Sequence, residues 1–136
     1  MDNNVPNLEG VNSHKRNCTV LALAHVANIP YLKAFDIAKQ AGRKDNKGFR
    51  SQKLIAFANK KFGRNCFRKT KRTAITVQKF CKKYPTGRYY VRKKGHAYAI
   101  IDGIVYDRIK PKPLERILEA WQFIGNLSND KITDTK

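Results

Sequence analysis

Gly95-His96-Ala97-Tyr98-Ala99-Ile100-Ile101-Asp102-Gly103-Ile104-Val105-Tyr106-Asp107 is a run of β-formers broken once, at Asp102-Gly103. A type I′ turn needs positive φ at both central positions, and an Asp-Gly pair supplies them, so the stretch predicts a β-hairpin. The turn sets the register: Ile101 faces Ile104, Tyr98 faces Asp107 and His96 faces Ile109. Side chains alternate along a strand, which puts His96, Tyr98, Ile100, Val105, Asp107 and Ile109 on one face. His96 and Asp107 are then diagonal neighbours, roughly 5 to 8 Å apart at Cβ and within reach of an imidazole and a carboxylate. Asp102 is the poorer partner. It lies about 20 Å from His96 along an extended strand and is already required by the turn.

Working outward, Arg88 to Arg92 reads as a further strand, and the elements before it read as helices. Residues 1–16 are polar and extended. Asn17 is suited to cap a helix over Thr19 to Asn28, where Val20, Leu21, Ala22, Leu23, Ala24, Val26 and Ala27 leave almost no polar side. Such a helix belongs in the interior. Pro30 fits the first turn of a second helix with Leu32, Phe35, Ile37 and Ala38 inward, stopped at Gly42. Ser51 is positioned to cap a third, with Leu54, Ile55, Ala58 and Phe62 at helical spacing up to Gly63. Thr73 opens a fourth through Ile75, Val77, Phe80 and Cys81, ended by Pro85-Thr86-Gly87. After the hairpin, Pro111 and Pro113 bracket the start of a last helix with Leu114, Ile117, Leu118 and Trp121 on one stripe, a core stripe. The fold class is α+β: helices first, then a small antiparallel sheet on which the Cys18 helix packs through Ile100, Val105 and Ile109. Residues 1–125 make one domain and residues 126–136 a polar, disordered tail.

Charge is the second informative feature. The chain carries 29 Lys/Arg against 10 Asp/Glu, a net charge of +19. Residues 43–94 hold nineteen of the basic residues and a single acid, Asp45. That exceeds the net magnitude of roughly 2 to 8 that keeps a small domain soluble. It predicts a polyanion-binding surface in residues 43–94, with Arg64, Arg68, Lys69, Lys71 and Arg72 as contacts and nucleic acid or a nucleoprotein as partner. No C₂H₂ or RNP motif accompanies it. No run approaches the roughly 18 to 20 apolar residues of a bilayer span, and the N-terminus has no secretory pattern, so no membrane role is expected. Cys18, Cys66 and Cys81 are odd in number and scattered, which fits reduced thiols in a cytoplasm.

The residues that carry chemistry are Cys18, His96 and Asp107. A thiol at a helix N-terminus feels the positive end of the dipole, and a neighbouring imidazolium lowers its pKa further. The thiolate attacks a carbonyl, His96 protonates the leaving group, and Asp107 holds the imidazole in its tautomer. An oxyanion needs two donors. The Cys18 backbone N–H is one, and the side-chain amide of Asn12 or of Asn17 is the other. His25 lies about 10 Å along the helix axis from Cys18, too far to be the base, and reads as a core or rim residue. His14 stays as a second candidate base. Cys66 and Cys81 have no base nearby in sequence and read as core or incidental. No C-x-x-C or H-x-x-x-H pair is present, so neither a metal nor a cofactor is expected.

With these residues in place the chain resembles the papain-like cysteine peptidase superfamily, in particular the bacteriocin-processing peptidase domains and the small papain-fold proteins of bacteriophages. The resemblance is carried by Asn17-Cys18-Thr19-Val20-Leu21-Ala22-Leu23-Ala24, Ala41-Gly42-Arg43, Pro85-Thr86-Gly87-Arg88-Tyr89 and Gly95 to Asp107. It spans roughly residues 12–122, with the cysteine and Gly-His segments the specific parts. It implies Cys18 as nucleophile, His96 as base and Asp107 as orienter. The superfamily usually has a Gln six residues before the cysteine, where this chain has Asn12. Two functions follow as expectations: a phage-encoded thiol hydrolase cleaving a peptide or isopeptide bond in a host cytoplasm, or a catalytically inactive papain-like fold that binds nucleic acid or nucleoprotein.

Overall fold

A computed structural model describes residues 6–13, 16–45, 47–63, 66–70, 75–108 and 111–125. The expected tail, 126–136, lies outside them, as do His14, Arg64, Lys71, Arg72, Thr73 and Ile109.

After a single 3-10 turn at Val11–Ser13, three helices follow: α1 (Cys18–Ala27), α2 (Tyr31–Ala41) and α3 (Ser51–Phe62). Then come β1 (Phe67–Lys69), β2 (Ile75–Thr76), α4 (Val77–Lys83), β3 (Arg88–Lys93), β4 (His96–Ile101), β5 (Ile104–Tyr106), β6 (Arg116–Ile117) and β7 (Glu119–Phe123). Five strands form an antiparallel sheet in the order β1-β7-β3-β4-β5, and β2 pairs with β6 in a small ribbon. The protein is α+β.

The sheet is covered on both faces. Tyr90, Ala97, Ala99, Ile101 and Trp121 join the core built by α1, α2 and α3. Tyr89, Val91, Tyr98, Ile100 and Ala120 join a second core with Val77, Phe80 and Ile117. The expectation that Ile100 and Val105 pack on the Cys18 helix is therefore corrected: they face α4, and the α1 side of β4 is Ala97, Ala99 and Ile101. Both faces of β4 are apolar, so alternation alone does not say which takes which helix. The small side chains go to α1, letting its backbone lie close to the strand.

The hairpin forms in the expected register, with Ile101 opposite Ile104 and Ile100 opposite Val105. Asp102 and Gly103 have φ of 51° and 77°, the paired positive values of the tight turn. Asp102 also accepts a hydrogen bond at Oδ1 from the Gly87 N–H at 2.9 Å, tying the turn to the start of β3.

α1 is buried from Thr19 to Ala27. Its C-terminal carbonyls are held from the sheet: Arg88 on β3 donates from Nε to the Val26 carbonyl at 2.6 Å and from Nη2 to the His25 carbonyl at 2.8 Å. A cation on the negative helix end is favourable, and it fixes where the opposite end points. That opposite end begins at Cys18.

Three local expectations are corrected. Asn17 occupies the cap position of α1 but makes no side-chain cap bond; its amide instead donates to the Val11 carbonyl at 2.8 Å and to Tyr31 Oη at 2.9 Å. Ser51 is the first residue inside α3 rather than its cap, and its hydroxyl shares a 2.9 Å hydrogen bond with Tyr90 Oη. α4 is capped by Thr76, whose Oγ1 accepts from the Lys79 N–H.

The largest correction is the C-terminal helix. Residues 116–117 and 119–123 are strands. Leu114, Ile117, Leu118 and Trp121 do recur at helical spacing, but Leu114 is 74% exposed, while Ala120, Trp121 and Phe123 are buried. Pairing decides it. With β4 on one side of β3, the other edge of β3 is an unpaired row of N–H and C=O groups beneath buried Tyr89, Tyr90 and Val91. β7 fills that edge and is itself covered by β1.

Candidate active site

Cys18 is the first residue of α1 and His96 the first residue of β4, and packing α1 on β4 brings these two starts together. His96 Nε2 meets Asp107 Oδ2 at 2.7 Å. With Nε2 so engaged, Nδ1 is the ring atom left for the Cys18 thiol, which lies beside the ring and whose pKa the ring lowers. The Asp107 side chain is 6% exposed, against 32% for His96. Its other oxygen, Oδ1, accepts the Arg108 N–H at 2.8 Å. Both carboxylate oxygens are thus held, and the imidazole is held by them.

The electrostatics follow from these contacts. Burial alone would push the Cys18 thiol up. Hydrogen bonds from the His96 ring and from the Ala97 N–H, with the charge of His96 and the Thr19 N–H behind them, bring it below its ordinary value. The α1 N-terminus acts in the same direction. His96 moves the other way, to about 9, because its hydrogen bonds to Asp107 and then to Cys18 outweigh its burial. The lowered thiol and the raised imidazole both favour a thiolate beside an imidazolium, a nucleophile beside an acid placed to protonate a leaving group.

The thiol lies in an open groove. On one side is a cleft of about 610 Å³ lined by Thr19, Phe49, Arg50, Ser51, Lys53, Arg92 and Lys93. On the other is one of about 500 Å³ lined by Arg16, Asn17, Leu21, Asp107 and Arg108. Cys18, Gly48, Gly95 and His96 border both, so the groove passes over the reactive pair with two residues that have no side chain beside it.

The remaining candidates are placed as follows. Asn12 is exposed in the 3-10 turn and lines a separate cleft with Leu8, His25 and Tyr106 that includes neither Cys18 nor His96. Asn17 borders the thiol groove, but its amide hydrogens go to Val11 and Tyr31. The Cys18 N–H, at the start of a helix, has no intrahelical acceptor and is an oxyanion donor by position. His25 is buried against Tyr106, with ring centroids 5.5 Å apart. Arg68 and Lys69 are exposed on β1, and Lys69 pairs with Glu119 at 2.9 Å. Cys66 is buried, Cys81 half-buried, and all three cysteines are free thiols.

The Ala97 and Thr19 N–H groups on the sulfur, and the basic wall contributed by the start of α3 and the end of β3, were not anticipated from sequence. Backbone donors leave no mark in side-chain patterns. The wall was visible only as part of a long basic segment. Among the described residues no group of three or more His, Cys, Asp or Glu side chains could hold a metal, and no helix is long and apolar enough to cross a membrane. Scans against protein-family models, curated proteins and solved structures found no match to this chain.

Proposed function

We propose that this protein is a papain-like thiol hydrolase that cleaves a peptide or isopeptide bond with Cys18, His96 and Asp107. One observation carries the reading: a thiol at a helix start borders the same groove as an imidazole whose Nε2 is 2.7 Å from a carboxylate. The Cys18 thiolate attacks the carbonyl carbon, forming a C–S bond and an oxyanion beside the Cys18 N–H. His96 gives its proton to the leaving nitrogen as the C–N bond breaks. Neutral His96 then takes a proton from water, which attacks the thioester and releases the acid and the thiolate. Asp107 keeps the ring oriented through both steps. Three free thiols support a reducing compartment such as a host cytoplasm, and a bacteriophage source rests on the sequence resemblance alone. The test is to incubate the wild type, Cys18→Ala and His96→Ala with a cell-lysate protein mixture and map new N-termini and newly freed lysine side chains by mass spectrometry. Products made by the wild type and by neither variant support the reading; their absence overturns it.

A second reading is a catalytically inactive papain-like fold that binds nucleic acid or nucleoprotein. It is favoured by a cleft of about 370 Å³ that Arg68, Lys69 and Lys83 line together with half-buried Tyr84, a cationic and aromatic combination suited to a stacked base. Salt-sensitive RNA or DNA binding, lost on neutralising Lys69, Lys71 and Arg72, together with an unexceptional Cys18, would select it over the hydrolase.

A further inference from the structure

We propose that the thiol groove is built for an acidic peptide segment, so that the bond attacked by Cys18 is one flanked by carboxylates; the inference rests on the thiol-hydrolase reading. Six cations border the groove. Arg50, Lys53, Arg92 and Lys93 line one side, and Arg16 and Arg108 the other. Among the described residues Asp107 is the single carboxylate on its walls, and its oxygens are taken by His96 and the Arg108 N–H.

Internal pairing does not account for this charge. Arg92 and Lys93 are neutralised by Glu119 and Glu115 at 2.7 and 2.6 Å. Arg16, Arg50 and Lys53 have no acidic partner among the described residues, and all three are exposed. Arg50 and Lys53 also stand where stability would not put them. They occupy the cap and first turn of α3, which contains no acid, and cations at that end oppose the helix dipole. An anion lying in the groove would meet these cations and the positive helix end together.

The location selects peptide over nucleic acid. The cations line the groove that holds the Cys18 thiol, a nucleophile for carbonyl carbon, and a phosphodiester offers none. Gly48 and Gly95 beside Cys18 leave room for an extended backbone over the sulfur. Carboxylates a residue or two from the scissile bond then reach the Arg50–Lys53 wall or Arg16.

The experiment uses two tripeptidyl vinyl sulfones, one carrying three glutamates and one three lysines, with modification of Cys18 followed by mass spectrometry at low salt. Each rate is taken relative to uncharged iodoacetamide on the same protein. The glutamate probe is expected to react roughly tenfold faster than the lysine probe, the lower end of electrostatic focusing in a charged cleft. That preference shrinks severalfold in the Arg50→Glu/Lys53→Glu double variant and at about 0.5 M salt. Equal rates, or a faster lysine probe, overturn the acidic-substrate inference while iodoacetamide still singles out Cys18. Iodoacetamide that fails to prefer Cys18 over Cys66 and Cys81 overturns the thiol-site reading itself. Protection of Cys18 from iodoacetamide by a short RNA, but not by a glutamate peptide of equal charge, overturns the inference in favour of a nucleic-acid groove.

Discussion

Cys18 and Cys66 are the same side chain at two helix–strand seams of one core, and their surroundings drive them in opposite directions. Burial pushes the Cys66 thiol up to about 11, and only the Phe67 N–H opposes it. Its Sγ donates to Asn59 Oδ1 at 3.1 Å, so the proton is in use. Cys18 is also penalised by burial, yet its partners are donors: an imidazole charged at neutral pH and backbone N–H groups. Burial alone makes a thiol inert. The polarity of what points at the sulfur separates a structural cysteine from a reactive one.

The comparison can be broken most severely at His96. His96→Ala removes the main opposition to burial at Cys18, so iodoacetamide alkylation at pH 7 should slow by roughly 100-fold, toward the rate of Cys66. Peptide mapping by mass spectrometry reads both sites in one sample. Asn59→Ala acts on the other half. It removes the bonds to the Phe67 N–H, the Phe67 carbonyl and the Cys66 thiol that pin α3 to β1. A loss of about 2 kcal/mol is expected in urea denaturation, with Cys18 still the fast site in the folded protein. Asp107→Asn lowers the His96 pKa without removing the ring, so Cys18 alkylation should fall by roughly tenfold or less.

The smallest effect is a pH dependence that steepens when the pair is broken. His96 is raised above its unfolded value of about 6.5, so its contribution to stability is whole below that value and lost as pH climbs through about 9. Cys18 is lowered, so its contribution grows as pH rises above its folded value toward its unfolded one. Between about 6.5 and 9 the Cys18 contribution opposes the loss from His96, because folding favours moving the proton from thiol to imidazole. Wild-type stability should therefore fall less there than that of a variant without the thiol. In Cys18→Ser the raised His96 stands alone, held by Asp107, and stability should fall as pH rises through that window. Denaturation midpoints at pH 6, 7.5 and 9 check the slope.

The parts of the fold legible in sequence were those set by local chemistry. Asp102-Gly103 fixes the turn through its backbone dihedrals, so the register, and with it the His96–Asp107 pairing, could be counted out residue by residue. The all-apolar run in α1 forces burial whatever lies around it. The stripe from Leu114 to Trp121 failed because its fate depends on a distant strand: the open edge of β3 pulled residues 119–123 into the sheet against their helical spacing. Asn17 failed differently, since the amide that would cap α1 found a better pair of acceptors in the Val11 carbonyl and Tyr31 Oη. At the site, side-chain types and spacing led to Cys18, His96 and Asp107. Sequence had no means of placing Asn12, whose position depends on how the 3-10 turn sits against the hairpin.

The most direct test is the pH profile of Cys18 alkylation by iodoacetamide, with Cys66 as the internal reference. The thiolate–imidazolium pair predicts a Cys18 rate that is half-maximal below the ordinary thiol range, while Cys66 stays slow until strongly alkaline pH. A Cys18 rate that climbs roughly tenfold per pH unit through neutrality, in step with an unperturbed thiol, would contradict it.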